Sequence, residues 1–307
     1  MFDWDAVIIG SGPAGITAGI YLSRAGYRAI VLEKENFGGF LKNVDRIENY
    51  PGFADGISGP ELASAMVSQA ENYGLKFEPG EVTGIELYSG SRWVGCVDGR
   101  GYTTGVVIIA GGSKPKKLDV PGEETFQGKG VFQCALCDGA QFENRVVAVC
   151  GGGDAALTEA LYMSKLAKKV IIVHRRDRFR AANVLQERVS SKPEIEFVWN
   201  SVVDSIHGTS CLETIKLRNV TSNAESFLQV DGLLVQIGRE PNTDYLKGVV
   251  PLDNEGLVVA NTAMETGVPY ILAAGDIRSG SPKQIAAAVG DGAQAGITAQ
   301  MLLQMTG

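Results

Sequence analysis

Two cysteines at positions 134 and 137 are the side chains whose type and spacing most directly suggest chemistry in this sequence. They lie in the stretch Phe132–Gly139, and Asp138 follows the second of them. A cysteine pair separated by two residues can open to a dithiol and close to a disulfide, and so can carry two electrons. The stretch therefore indicates a redox centre if its surroundings support one.

Two other interpretations of the pair have to be weighed. A closed zinc site needs four nitrogen or sulfur ligands, and the remaining candidates contain no second pair at ligand spacing: Cys96, Cys150, Cys211, His174 and His207. Two buried cysteines that never react are the other alternative. The position of the pair, directly upstream of a nucleotide-binding pattern, favours the redox interpretation.

The N-terminal region contains a strand–loop–helix–strand pattern that is typical of nucleotide binding. An apolar strand, 5–10, leads into a glycine loop, a helix is predicted over 16–25, and a second strand, 28–32, ends at Glu33. Glycines let the backbone approach a pyrophosphate at the helix N-terminus, and the acid can hold a ribose diol. The predicted loop residues are Gly10, Ser11, Gly12, Pro13, Ala14 and Gly15. A plain βαβ turn is the alternative.

The same pattern returns 141 residues later. A strand from Val146 runs into a second glycine loop, a helix follows to about Ala167, and a further strand is predicted over 170–173. Constant register over four positions indicates two copies of one nucleotide-binding design. The equivalent positions are Gly151, Gly153, Ala156 and His174, and the loop also contains Asp154 and Ala155.

The second copy ends in arginines where the first copy has a carboxylate. Glu33 would repel a ribose 2′-phosphate, whereas Arg175, Arg176 and Arg180 can bind one through charge-assisted hydrogen bonds. The second site is therefore predicted to bind NADPH rather than NADH. A solvated basic segment at the start of a helix is the alternative.

The composition excludes several classes of partner. A formal charge of −7 and a pI near 5.1 argue against a nucleic-acid or anionic-membrane surface. No run of 18 apolar residues is present, and the acidic N-terminus runs straight into a strand pattern, so neither a membrane span nor a secretory signal is expected. Five cysteines without a regular framework fit a reducing cytoplasm.

Two linkers divide the chain into two predicted domains. The first follows the strand near Val106–Ser113, and the second follows the strand near Asp231–Gly238. We expect an α/β protein with two Rossmann-like nucleotide-binding domains, the second inserted into the first. The discontinuous domain would comprise 1–113 and 245–307, and the inserted domain, which carries the cysteine pair, 114–244.

Taken together, these motifs resemble those of the low-molecular-weight NADPH-dependent thioredoxin reductases in the flavoprotein disulfide reductase superfamily. The resemblance runs from about Asp5 to Met305 and depends on five elements in family order. They are the first glycine loop with Glu33, the stretch Gly38–Gly52, the Cys134–Gly139 motif, the second glycine loop with its arginines, and the stretch Ala273–Asp276.

The resemblance implies the roles of further residues. FAD would bind the first domain near Gly39, Asn49 and Asp276, with Lys283, Gln284 and Ile285 close to the isoalloxazine. Cys137 would face the flavin, Cys134 would exchange with the protein substrate, and Asp138 would be the acid/base. Asp138 as a simple turn residue is the alternative. The family also implies a homodimer.

The predicted function is reduction of a thioredoxin-like protein by NADPH through FAD and the cysteine pair. Because the pair and NADPH belong to the same domain and must each reach one flavin, we also expect that domain to rotate about its linkers. An FAD-dependent dithiol oxidase is the alternative enzyme, although it would not need the arginines. A nucleotide-binding module without turnover is a third possibility.

Overall fold

The computed structural model describes residues 2–44 and 46–305. Up to the first linker the elements are β1 Trp4–Ile9, α1 Pro13–Arg24, β2 Ala29–Glu33, α2 Gly59–Asn72, β3 Lys76–Pro79, β4 Val82–Tyr88, β5 Ser91–Cys96, β6 Gly101–Ile109 and β7 Ser113–Pro115. Next come α3 Glu123–Phe126, β8 Val131–Phe132, α4 Ala135–Asp138, β9 Val146–Gly151, α5 Asp154–Met163, β10 Lys169–Val173, α6 Asn183–Ser190, β11 Ile195–Val198, β12 Ser201–Gly208, β13 Leu212–Asn219, β14 Glu225–Gln229, β15 Gly232–Gln236 and β16 Arg239–Pro241. The last elements are β17 Ile271–Ala273 and α7 Ile285–Gln304.

The chain divides into two compact units. One unit comprises Met1–Lys114 and Pro241–Gly307, and the other is Pro115–Glu240. A proline stands at each crossing, and the two connecting strands, β7 and β16, pair with each other. We call these units the discontinuous unit and the inserted unit.

A mixed sheet forms the centre of the discontinuous unit. Its order is β3-β2-β1-β6-β5-β4, and β17 pairs with β6. The pairs β1–β2, β1–β6 and β6–β17 are parallel. The residues 6–9 of β1 are buried, as expected for a strand covered on both faces. The parallel arrangement brings the carboxyl ends of β1, β6 and β17 to one edge, where loops can form a ligand site.

Helices α1 and α7 pack closely against each other over this sheet. A Cβ atom at Gly292 would collide with the carbonyl oxygen of Ala14, and one at Gly296 would lie 2.7 Å from the Tyr21 Cβ. Small residues let the two helix backbones approach, and they place the start of α7 beside the first glycine loop. Among the residues described, no helix combines the length and the apolar character that a bilayer span requires.

The inserted unit contains a parallel sheet in the order β11-β10-β9-β15-β8 and an antiparallel sheet of β12, β13 and β14. The predicted α/β class is confirmed. One boundary was wrong: α5 ends at Met163, not near Ala167. The Ser164 hydroxyl donates to the Leu161 carbonyl at 2.9 Å, and such a local bond competes with continuation of the helix.

Candidate active site

The cysteine pair forms a disulfide at the start of a short helix. The Cα atoms of Cys134 and Cys137 are 5.4 Å apart. Cys134 is the N-cap of α4, and the backbone N–H of Cys137 donates to its Sγ atom at 3.0 Å. A donor at this position would stabilise a thiolate on Cys134 after reduction. The two cysteines that the sequence predicts to form a redox pair are therefore bonded to each other.

The two sulfur-bearing residues differ in exposure. Cys134 is only 8% exposed, whereas Cys137 and Asp138 are exposed. The backbone N–H of Asp138 donates to the Cys134 carbonyl at 3.1 Å, which closes the turn of α4. Cys137 is therefore the member of the pair that another molecule can reach while the disulfide is closed.

Aromatic packing holds the pair in place. The rings of Phe132 and Phe142 stack with centroids 4.6 Å apart, so they fix the two ends of the motif against each other. Gly139 packs closely against α5, because a Cβ atom there would lie 2.9 Å from the Met163 sulfur. The motif thus follows the carboxyl end of β8 and packs against α5.

A carboxylate from α5 binds the backbone around Cys134. Glu159 Oε2 accepts the N–H of Ala135 at 3.0 Å, and its Oε1 accepts an N–H of Gln236 at 3.1 Å. Burial raises the pKa of Glu159 to about 7, although the two hydrogen bonds and Arg239 lower it. No sequence pattern points to this residue, because only the fold brings α5 beneath the motif.

The first glycine loop contains two close approaches and one open position. A Cβ atom at Gly10 would collide with the carbonyl oxygen of Ala110, and one at Gly15 with the carbonyl oxygen of Gly10. Nothing lies within 4 Å of the position that a Cβ atom on Gly12 would take, although a Cβ atom on Gly39 would lie 2.9 Å from the Gly12 Cα. The loop therefore has the cradle that a pyrophosphate requires.

Glu33 lies at the end of β2 and contacts this loop. Its Oε2 accepts the backbone N–H and the hydroxyl of Ser11, both at 2.8 Å, and its Oε1 accepts the Glu35 N–H at 3.1 Å. A carboxylate has about four lone-pair sites. One site is therefore left for a ribose hydroxyl, and a second contact would require Ser11 to release the carboxylate.

Other residues predicted to bind the flavin meet at the start of α7. The Asn49 amide donates to the Gln284 side chain at 2.9 Å, and Gln284 is the N-cap of α7. Lys283 has a φ of +56°, so the chain turns sharply before the helix. Asp276 is half-buried in the turn 275–277, and Ile285 is the first residue of α7.

An ion pair between Arg278 and Asp291 supports the turn 275–277, and neither residue was predicted from the sequence to belong to the site. Arg278 donates to both oxygens of Asp291, at 2.6 and 2.8 Å, and Asp291 also accepts the Gly275 N–H at 3.0 Å. Asp291 is the one charged residue of α7, which is a signal that the sequence did contain. The pair fixes the backbone next to Asp276.

The second glycine loop repeats the open position of the first. Gly151 has a φ of +155°, and nothing lies within 4 Å of the position that a Cβ atom on Gly153 would take. A side chain at Gly152 would collide with the ring of His174. Asp154 Oδ1 accepts the Ala182 N–H at 2.8 Å, which ties the start of α5, with Ala155, to the segment after Arg180.

The predicted phosphate residues fall into two groups. His174 is buried and packs near Phe179 and Trp199, and its pKa is lowered, first by desolvation and then by the neighbouring arginines. The other group is exposed, and among the residues described none of its side chains hydrogen-bonds or pairs with a carboxylate: Arg175, Arg176 and Arg180. Unpaired guanidinium groups beside an open glycine loop fit a ribose phosphate.

Comparisons with known proteins agree with this geometry. A family model described as "Pyridine nucleotide-disulphide oxidoreductase" matches residues 4–292. A thioredoxin reductase of Listeria monocytogenes is 41% identical over 303 residues, which cover 98% of this chain and 94% of that protein. The chain belongs to the thioredoxin reductases of this family.

Two further relatives extend the comparison. The crystal structure of Lactococcus lactis thioredoxin reductase matches with a TM-score of 0.96 at 38% identity, and covers 99% of this chain and 100% of that one. A bifunctional thioredoxin reductase/thioredoxin of Mycobacterium leprae is 38% identical over 300 residues, which are 97% of this chain but 66% of that protein. The predicted resemblance and the two Rossmann-like domains are confirmed.

Thioredoxin reductases of this family are flavoproteins that use FAD and NADPH. Both cofactors fit the residues present. In the first nucleotide-binding pattern, the glycine loop is open at Gly12 and the second strand ends at the Glu33 carboxylate. In the second pattern, the glycine loop is open at Gly153 and unpaired arginines follow the second strand.

Proposed function

We propose that this chain uses NADPH to reduce the disulfide of a thioredoxin-like protein, through FAD and the Cys134–Cys137 pair. The observation that carries the proposal is a disulfide with one exposed member, in the same compact unit as a glycine loop flanked by unpaired arginines. The thioredoxin fused to the Mycobacterium leprae relative supports the choice of substrate.

The cofactors are assigned to the units by their glycine loops. FAD would be held in the discontinuous unit by the loop Gly10–Gly15, Glu33, Gly39, Asn49, Asp276 and Lys283–Ile285. NADPH would be held in the inserted unit by Gly151, Gly153, Asp154, Ala155, His174, Arg175, Arg176 and Arg180. When bound, the flavin supplies two-electron transfer between a hydride donor and a disulfide.

The two cysteines have different roles in disulfide exchange. Cys137 is exposed and receives the electrons, which break the sulfur–sulfur bond. Two electrons and one proton convert the disulfide to one thiol and one thiolate. Cys134 is the thiolate, because it accepts the Cys137 N–H, and it attacks the substrate disulfide. Asp138 delivers and removes the proton at the Cys137 sulfur.

Cys134 must become accessible before it can attack a protein. It is buried while the disulfide is closed, so opening of the bond, with a local movement of α4, has to precede exchange. The chain would act in the reducing cytoplasm as a homodimer, with no nucleic-acid or membrane partner. The net charge of −7 supports the last two points.

An anaerobic titration followed by flavin absorbance tests the function. The purified protein should be yellow, NADPH should bleach it far more effectively than NADH, and an oxidised thioredoxin should restore the colour. Bleaching by small dithiols but not by NADPH would indicate a dithiol oxidase instead. A colourless protein that binds nucleotide without turnover would indicate a regulatory module.

A further inference from the structure

One carboxylate of the inserted unit contacts the redox motif and has no role in the exchange chemistry above. Glu159 accepts the N–H of Ala135, the residue after Cys134. The amide of Gln236 donates to Glu159 at 3.1 Å and to the carbonyl of Gln133, the residue before Cys134, at 2.8 Å. The two side chains therefore hold the peptide groups on both sides of Cys134.

The contacts of this carboxylate are backbone and amide groups. The hydrogen-bond donors described for it are the Ala135 N–H and the Gln236 amide, both neutral. Arg239 acts on it electrostatically and favours the ionised form. Desolvation is nevertheless the largest influence on this half-buried carboxylate, and it favours the neutral form.

Other charged groups on the neighbouring elements do not offset this burial. The elements that pack most closely against α5 are α4, α6, β9 and β10, and β15 contacts it through Gln236. Their titratable or charged groups are the cysteine pair and Asp138 at α4, Glu187 and Arg188 on α6, Cys150 on β9, and Lys169 on β10. Asp138, Glu187 and Arg188 are exposed, and so are screened by water.

Reduction of the disulfide changes the charge next to this carboxylate. The closed disulfide is neutral, but two-electron reduction with one proton leaves a thiolate. Two anions that share one turn of backbone repel each other, and burial strengthens the repulsion. A neutral Glu159 removes that repulsion and still offers a carbonyl oxygen to the Ala135 N–H.

We propose that Glu159 is a positioning residue that holds Cys134 through the peptide groups on either side of it, and that it takes up a proton from solvent when the disulfide is reduced. The proton is additional to the one that forms the thiol, and it returns to solvent when the thiolate is consumed by the substrate. This proposal rests on the proposed redox role of Cys134–Cys137.

The proposal has a measurable consequence for the midpoint potential of the pair. In the oxidised protein the pKa of Glu159 is about 7, and the thiolate raises it on reduction. Below that pH both redox states are protonated, and no extra proton is taken up. Between that pH and the higher pKa of the reduced protein, each pH unit makes the equilibrium constant for reduction an additional tenfold less favourable, which is 29.6 mV for a two-electron couple.

Equilibration of the flavin-loaded protein in dithiol/disulfide buffers tests this consequence. The midpoint is measured over a pH range that brackets about 7, by differential alkylation and mass spectrometry of the peptide with Cys134 and Cys137. The wild type should show the additional slope above that pH. Glu159→Gln should lack it, whereas Glu187→Gln, which removes an exposed carboxylate from α6, should keep it.

An unchanged pH dependence in a folded Glu159→Gln protein would overturn the proposal. If that variant does not fold, redox-difference infrared spectroscopy of the wild type decides. Reduction should produce a carboxylic-acid carbonyl band that shifts when glutamate carboxyls carry ¹³C, whereas a band from Asp138 would not shift. Absence of a shifting band would also overturn it. Neither measurement uses NADPH or thioredoxin, so failure of the proposed function would be seen separately.

Discussion

At the scale of the residue, the two cysteines are chemically equivalent in sequence but not in their surroundings. Cys137 is exposed, whereas Cys134 is buried, receives an N–H donor at its sulfur and has both flanking peptide groups anchored. The hydrogen-bond donor at the Cys134 sulfur favours the thiolate that persists after reduction. The exposed sulfur suits electron entry.

Replacement of one sulfur should separate the two half-reactions. Cys134→Ser should leave bleaching of the flavin by NADPH intact, because the nucleotide loops are unchanged. It should lower thioredoxin reduction by more than about a thousandfold, since the attacking group is lost. Stopped-flow absorbance and a coupled turnover assay measure the two steps. Cys211→Ser, at an exposed free cysteine, is the control. Loss of both half-reactions in Cys134→Ser would show that the roles are misassigned.

The proposed preference for NADPH depends on individual side chains, the arginines that follow β10. Arg176→Gln should reduce kcat/KM for NADPH by roughly 10- to 100-fold, because a charge-assisted contact contributes about 1.5 to 3 kcal/mol. The value for NADH should hardly change, because it has no 2′-phosphate. Arg188→Gln removes an exposed arginine from α6 and should affect neither coenzyme. Equal losses for NADPH and NADH would contradict the assignment.

At the scale of the element, each strand–loop–helix unit uses its glycines for different purposes. Gly10 and Gly15 permit backbone contacts within the protein, whereas Gly12 and Gly153 leave space at the helix N-termini. The helix macrodipole and the free N–H groups of α1 and α5 then point at that space. Substitution at one kind of glycine should change stability, and substitution at the other should change cofactor binding.

The pair Gly12→Ala and Gly15→Ala tests this difference. Gly12 has an ordinary φ of −70°, so its alanine variant should keep the Tm of the cofactor-free protein and lose flavin affinity by at least about tenfold. Gly15→Ala places a Cβ atom against the Gly10 carbonyl and should lower the Tm by at least about 6 °C. Calorimetry and flavin titration measure these effects. Full flavin affinity in Gly12→Ala would place the pyrophosphate elsewhere.

At the scale of the whole molecule, the proposed roles of the two units lead us to expect movement. The cysteine pair and the NADPH loop belong to the inserted unit, and the proposed flavin loop belongs to the discontinuous unit. Because one flavin cannot serve two partners at once, we expect the inserted unit to rotate about the linkers 113–117 and 238–244 during turnover.

A cross-link between the linker strands tests that movement. In a Cys211→Ser background, cysteines placed on β7 and β16 should react with a bismaleimide while the Cys134–Cys137 disulfide is closed and protects the pair. Cross-linked protein should lose turnover by more than about tenfold. The same variant treated with a monofunctional maleimide should remain active. Full activity with the cross-link in place would refute rotation.

The proposed dimer is also a property of the whole molecule. Ile297, Met301 and Met305 are 41%, 51% and 82% exposed and lie four residues apart, on one face at the end of α7. If the dimer interface buries this face, Met301→Lys would place a desolvated charge in it. The variant should therefore raise the dissociation constant of the dimer at least about tenfold, as measured by sedimentation. Gln69→Lys, at an exposed position of α2, is the control. An unchanged constant for Met301→Lys would exclude this face.

The local patterns of this sequence determine most of the fold and the chemical type of the site. Continuous apolar runs predicted the buried parallel strands, and the constant offset between the glycine loops predicted two nucleotide-binding designs, because both depend on residues close together in the chain. The end of α5 was misplaced because the hydrogen bond from the Ser164 hydroxyl to the Leu161 carbonyl competes with the helix.

The sequence by itself therefore determined that there is a redox pair, two nucleotide loops and an arginine cluster. Only the tertiary structure decided which sulfur is buried, that Glu159 and Gln236 anchor the peptides around it, and that Arg278 and Asp291 support the turn at Asp276. The hydrogen bond from Gln236 to the Gln133 carbonyl, for example, joins residues that are 103 positions apart in the chain. Composition and periodicity contain no information on such pairings, because these depend on how the sheets and helices pack.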